Sequence, residues 1–158
     1  MTLYHASPLK NLTTIMPQRT LSHDKYIGDF VFATENKRLA LMYLAPKGFS
    51  TLMNPKLPNP NIVVCGEAEN VIKKDKGGSL YVLDGKSFRE TPQEGLSDYE
   101  MVSLKPVVPL EEIDYPGVIN ALLEEGISVY FTDESTFNSL ILNDRQENMI
   151  KRLPKYLP

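Results

Sequence analysis

The chain has 158 residues, 42% hydrophobic and 23% charged, with 17 Lys and Arg against 20 Asp and Glu for a formal net charge of −3. That length supports one domain with a core of its own, and the lack of a positive excess disfavours generic binding to nucleic-acid phosphates. One Cys and two His exclude an intrachain disulfide, a cysteine-rich zinc site and a Cys-ligated cluster, so chemistry falls to carboxylates, hydroxyls, aromatics and at most two imidazoles, with no metal expected.

Leu3 to Pro8 reads as a short strand ended by Pro8, followed by a polar loop from Lys10 to Asp29. Phe30-Val31-Phe32-Ala33 is an apolar run of strand-forming types. Thr34 can cap a helix in which Leu39, Ala40, Tyr43 and Leu44 recur at helical spacing until Pro46 and Gly48 stop it. Pro46, Pro55, Pro58 and Pro60 predict an irregular surface loop. Asn61 to Cys65 is a strand candidate, Val71 to Lys73 a weaker one, and Ser79 to Leu83 another. Asp84-Gly85 is a turn dipeptide, and Phe88 to Leu96 is polar loop. Tyr99 to Leu104 alternates as a strand does, and Pro106 and Pro109 end it. Leu110 to Gly126 reads as helical, in two pieces divided at Pro116, with Gly126 as a C-terminal stop. Ile127 to Phe131 is a strand. Asp133 opens a last helix running to Arg152, with an extended tail.

Strands that cluster without regular alternation with helices indicate an α+β fold with largely antiparallel sheets. Neither GxGxxG nor GxxxxGK[ST] occurs, so any nucleotide would be held without a glycine-rich phosphate loop. The N-terminus lacks a basic region followed by a long apolar stretch. The longest apolar run, Leu39 to Pro46, is far short of the ~20 residues of a membrane helix. The expectation is a cytoplasmic protein without a membrane partner, its Cys65 kept reduced and packed as a buried apolar residue.

Three residues draw attention. His5 follows an aromatic on a strand, a place where a histidine is commonly held by a backbone partner. Glu100 lies inside an apolar strand, where a carboxylate is costly unless paired or turned to solvent by strand alternation. Tyr43 sits on the apolar face of a helix, where an aromatic commonly belongs to the core.

The order and contexts of these residues carry a resemblance. Tyr4-His5-Ala6-Ser7 resembles the aromatic-His-Gly-Ser/Thr strand of the ADP-ribosyltransferase superfamily, in its diphtheria-toxin-like and poly(ADP-ribose)-polymerase-like branch. Phe30-Val31-Phe32-Ala33 resembles that branch's Gly-Ile-Tyr-Phe-Ala strand, and Ala40 and Tyr43 fill the small and aromatic places of the helix after it. Asp98-Tyr99-Glu100-Met101-Val102 looks like the third motif, a Glu opening an apolar strand.

The resemblance covers roughly residues 2–110. It implies a split antiparallel β-sandwich with peripheral helices, forming a single domain over 1–158. The core with its cleft would occupy 1–110, and 111–158 would be a helix-strand-helix extension packed on it. It implies that the cleft binds NAD+ or a related nucleotide as substrate, with His5, Ala6, Ser7, Phe32, Ala33 and Tyr43 at the cofactor. His5 would meet a ribose hydroxyl, the Ala6 backbone the nicotinamide carboxamide, and Tyr43 the nicotinamide ring. Glu100, with His5, would be catalytic, its carboxylate stabilising an oxocarbenium-like transition state during ADP-ribose transfer or NAD+ hydrolysis. The acceptor is not readable, because acceptor choice lies in loops.

The chain departs from the pattern at two places: Ala6 stands for the usual Gly, and Val31 stands where a stacking Tyr is usual, leaving one wall aliphatic. These departures keep a second reading open, a non-catalytic nucleotide- or protein-binding module on the same fold. A third is similarity to the RNA 2′-phosphotransferases, with Arg19, His23, Lys25, Arg38 and Lys47 as a basic cluster near the cleft. A Cys65–His pair and a partner surface on the last helix are weaker options.

Overall fold

The computed structural model describes residues 1–90 and 100–158; Asp98 and Tyr99 of the third motif lie outside the described residues. In chain order the elements are β1 (Thr2–Ser7), β2 (Gln18–Ser22), β3 (Lys25–Ala33), α1 (Lys37–Met42), β4 (Thr51–Asn54), β5 (Asn61–Cys65), α2 (Ala68–Lys74) and β6 (Gly78–Asp84). A single 3-10 turn (Gly85–Ser87) follows, and then β7 (Arg89–Glu90), β8 (Met101–Ser103), β9 (Glu111–Tyr115), α3 (Val118–Glu124), β10 (Ser128–Thr132), α4 (Glu134–Ile141) and α5 (Gln146–Ile150). The fold is α+β with several antiparallel sheets. No helix among the described residues is long and apolar enough to cross a membrane.

The chain divides into two compact units, each drawn from two stretches of sequence. The first comprises Met1–Tyr43 and Gly78–Tyr115, the second Leu44–Gly77 and Pro116–Pro158.

The first unit contains two antiparallel sheets, one ordered β1-β6-β9 and the other β2-β3-β8-β7. Its core takes Leu3, Tyr81 and Leu83 from the first sheet and Val31 and Ala33 from the second, closed by Ile15, Phe88 and Val107. Strand alternation explains the choice: Val31 and Ala33 share one face of β3 and Phe32 takes the other. Between the sheets, Tyr4 of β1 and Thr34, the residue just after β3, form an antiparallel bridge, closed by bonds of 2.8 and 3.0 Å.

The second unit holds the sheet β10-β5-β4, in which β10 runs parallel to β5 and β4 antiparallel to it. The apolar run Ile62-Val63-Val64 is fully buried, as a central strand covered on both faces must be. Phe137, Leu140 and Ile150 pack against Val63.

Several expectations need correction. The polar stretch Lys10 to Asp29 holds a hairpin, β2 and the start of β3. Its two-residue turn is His23-Asp24, with φ of 49° and 63°, a conformation usually signalled by Asn-Gly. The proline-rich stretch contains β4. Val71 to Lys73 lies in α2, where burial of Val71 anchors one helical face. Residues 111–115, expected helical, form β9 because they complete the edge of β6. The cap of α1 is Asn36, whose Oδ1 accepts from the Leu39 N–H at 3.2 Å; Thr34 Oγ1 instead accepts from the Asn36 N–H. The last helix is two helices, broken where Asn143 Oδ1 accepts from the Arg145 N–H at 2.7 Å, a local bond that competes with helical continuation.

Candidate functional site

The site starts at the bridge between β1 and β3. Tyr4 and Thr34 exchange both backbone bonds, so the next pair of backbone groups facing one another would be those of Ala6 and Phe32. A side chain stands there instead. His5 Nδ1 lies 2.7 Å from the Phe32 carbonyl oxygen. A carbonyl can only accept, so Nδ1 carries the proton and Nε2 of the neutral ring is left as an acceptor. Ladder alternation turns the Ala6 N–H and C=O away from β6, because His5 and Ser7 supply the groups that face that strand.

The resulting pocket lies wholly within the first unit. It has a volume of about 130 Å³ and is lined by Tyr4, His5, Ala6, Phe32, Ala33, Thr34, Ala40, Tyr43 and Glu100. About 150 Å³ accommodates one benzene ring, so the pocket is close in volume to a single planar ring. Each element has a clear share. β1 supplies residues 4–6, β3 residues 32 and 33, α1 the buried Ala40, and the chain just after α1 supplies Tyr43. Glu100 immediately precedes β8, in the position opposite Thr34 if the register of β3 and β8 is continued by one residue.

Burial governs the electrostatics. It pushes the Glu100 carboxyl above the usual carboxylate range, offset in part by a hydrogen bond from the Tyr43 hydroxyl. It also holds the His5 imidazole below its usual range, again offset in part by the Phe32 carbonyl. Both shifts disfavour the charged form, as desolvation does. The pocket therefore holds a neutral imidazole acceptor and a carboxyl whose charge is costly and which has one phenolic donor.

Of the residues singled out in the sequence, His5, Ala6, Phe32, Ala33, Tyr43 and Glu100 come together in this lining. Ser7 does not. It is buried, and its Oγ accepts from the Leu9 N–H at 3.1 Å, shaping the turn after β1. Tyr43 is not a core residue; it is 44% exposed and forms a wall. Val31 is 1% exposed and belongs to the core, so the expected aliphatic wall is not there and Phe32 presents an aromatic one. Thr34 joins the lining for a reason no sequence motif carries, its bridge to Tyr4.

None of Arg19, His23, Lys25, Arg38 and Lys47 belongs to the lining. The Arg19 guanidinium lies over the Tyr26 ring, 5.5 Å from its centre. Cys65 is half-buried on β5 of the second unit. No family model, curated protein or solved structure matches the chain.

Proposed function

We propose that this chain has an ADP-ribosyltransferase-like fold and that its pocket binds the nicotinamide end of NAD+, acting as a transferase or NAD+ glycohydrolase. The observation that carries the reading is the meeting of His5, Tyr43 and Glu100 on one pocket of ring size. Two antiparallel sheets in the first unit, bridged at Tyr4 and Thr34, support the fold reading.

The chemistry follows from the groups. The Ala6 N–H and C=O are turned toward the side where a carboxamide, itself both donor and acceptor, would be held. Tyr43 would stack on the pyridine ring, with Phe32 a second aromatic of the lining. His5 Nε2 accepts from a ribose hydroxyl. The bond from the nicotinamide nitrogen to the ribose anomeric carbon breaks. Its electron pair stays on nitrogen, giving neutral nicotinamide and an oxocarbenium-like sugar. Ionised Glu100 stabilises that positive charge, which is larger in the transition state than in the ground state. Water or an acceptor hydroxyl then adds at the anomeric carbon and loses its proton to solvent.

Two observations favour a second reading, a binding module without turnover: Ala6 in the pocket lining where the motif has Gly, and Glu100 engaged by Tyr43 with its charge disfavoured. A phosphotransferase reading has less support, because no Arg or Lys lines this pocket among the described residues. The deciding experiment measures nicotinamide release from NAD+ by the wild type and Glu100→Gln. Release by the wild type that Glu100→Gln abolishes supports turnover. Binding of NAD+ by calorimetry without release supports the module. No binding overturns both.

A further inference from the structure

The first unit carries a second cavity, of about 190 Å³, lined by Ser87, Arg89, Val102, Leu104 and Lys105. From it we infer a phosphate-binding subsite on the sheet face that carries Phe32. Arg89 pairs with Val102, and Val102 pairs with Phe32, so the three residues form one row across the face. Two strand spacings put Arg89 about 10 Å from Phe32. Glu100, just before β8, lies on the same side as Val102 if the strand alternation is continued by one residue, about 7 Å away.

The cavity's chemistry is that of an anion site. Arg89 and Lys105 are both exposed, and neither has an acidic partner among the described residues. A guanidinium fork and an ammonium are the two side chains suited to phosphate oxygens. The Lys105 backbone is fixed. Buried Ser103 accepts from its N–H at 3.2 Å and donates to its carbonyl at 3.0 Å, and the same hydroxyl lies 3.3 Å from that of Ser87. Val102 supplies a buried apolar floor. The Arg89 fork, the Lys105 ammonium and the Ser87 hydroxyl would surround a phosphate or pyrophosphate group.

The inference stands on residues outside the ring-sized pocket and does not depend on turnover there. The test is calorimetry with inorganic pyrophosphate at low salt, on the wild type, Arg89→Gln, Lys105→Gln, the double variant and Arg19→Gln as a control cation. Each single change is expected to weaken binding about tenfold, with the effect fading as salt rises, while Arg19→Gln leaves it unchanged. Saturable binding lost in the double variant supports the subsite. If ADP-ribose then displaces pyrophosphate, the phosphates belong to the nucleotide in the ring pocket; if it does not, they belong to a second, phosphate-bearing molecule. No binding to the wild type, or equal binding by the wild type and the double variant, overturns the inference. Glu100→Gln should leave pyrophosphate binding intact, which keeps the failure of one reading separate from the failure of the other.

Discussion

His5 and Phe32 are joined by a side-chain to backbone bond of 2.7 Å in the place where β1 and β3 would otherwise continue their ladder. The imidazole takes the carbonyl that a strand neighbour would have used. The bond satisfies a part-buried acceptor, and it leaves Nε2 as the open acceptor.

That arrangement sets a pH dependence. Burial lowers the native His5 value below its ordinary value of about 6.5, so between the two values the unfolded chain binds the extra proton. Stability from this group is therefore present above the ordinary value and is lost as pH falls toward the lowered native one. Thermal unfolding followed across the acid side of neutrality should show a melting temperature that drops as His5 protonates. His5→Gln should flatten that slope, and an unchanged slope would remove His5 as its source.

Glu100 has the opposite sign. Its native value is raised, so its stabilising contribution is present below the ordinary carboxylate value and is lost as pH rises through the raised one. At neutral pH Glu100→Gln should leave the protein as stable as wild type or more so, while cutting nicotinamide release about 100-fold or more. Activity of the wild type should rise with pH as the carboxyl ionises. A variant both less stable and equally active would contradict the assignment.

Ala6 tests the pocket wall. Ala6→Gly should cost about 0.5–1 kcal/mol through strand entropy, without weakening ligand binding. Ala6→Val adds two methyl groups at the lining and should weaken binding about tenfold or more. Affinities for nicotinamide measured on both variants check this; equal affinities would place the ligand elsewhere.

Asp75 tests the second unit. Its carboxylate accepts from the Val118 and Ile119 N–H groups at 3.0 and 2.9 Å and from the Gly77 N–H at 3.0 Å. It thereby caps α3 from a distant stretch of chain. Asp75→Ala should destabilise by about 1–2 kcal/mol, lowering the melting temperature by a few degrees. Denaturant midpoints for the variant and wild type give the comparison.

Much of the secondary structure was legible where one local signal ruled. The runs at Leu3, Asn61, Ser79 and Ile127 are strands because they are apolar and bounded by turn residues. The helix after Asn36 follows its periodicity. The failures lie where a distant partner decides. Residues 111–115 follow Pro109, which suits a first helical position, yet the open edge of β6 makes them a strand. In that strand Glu112 accepts from the Ser79 and Tyr81 hydroxyls at 2.6 and 3.2 Å. The hairpin at His23-Asp24 carries no clear sequence signal, because its turn residues are not the usual ones. Ser7 shares a motif with His5 but faces a local turn.

The sequence by itself determined the scarce chemistry: one Cys, two His and an acidic balance leave carboxylates, imidazole and aromatics as the working groups. It also singled out His5, Tyr43 and Glu100, since each has a local context that marks it. Only the tertiary structure decided that these three line one pocket. Only it decided that Val31 belongs to the core while Phe32 forms the wall, and that Thr34 bridges Tyr4 while Asn36 caps the helix. The physical reason is that facing and proximity come from strand pairing. A residue's side of a sheet depends on register, and register is set by the partner strand rather than by the residue's own neighbours in sequence.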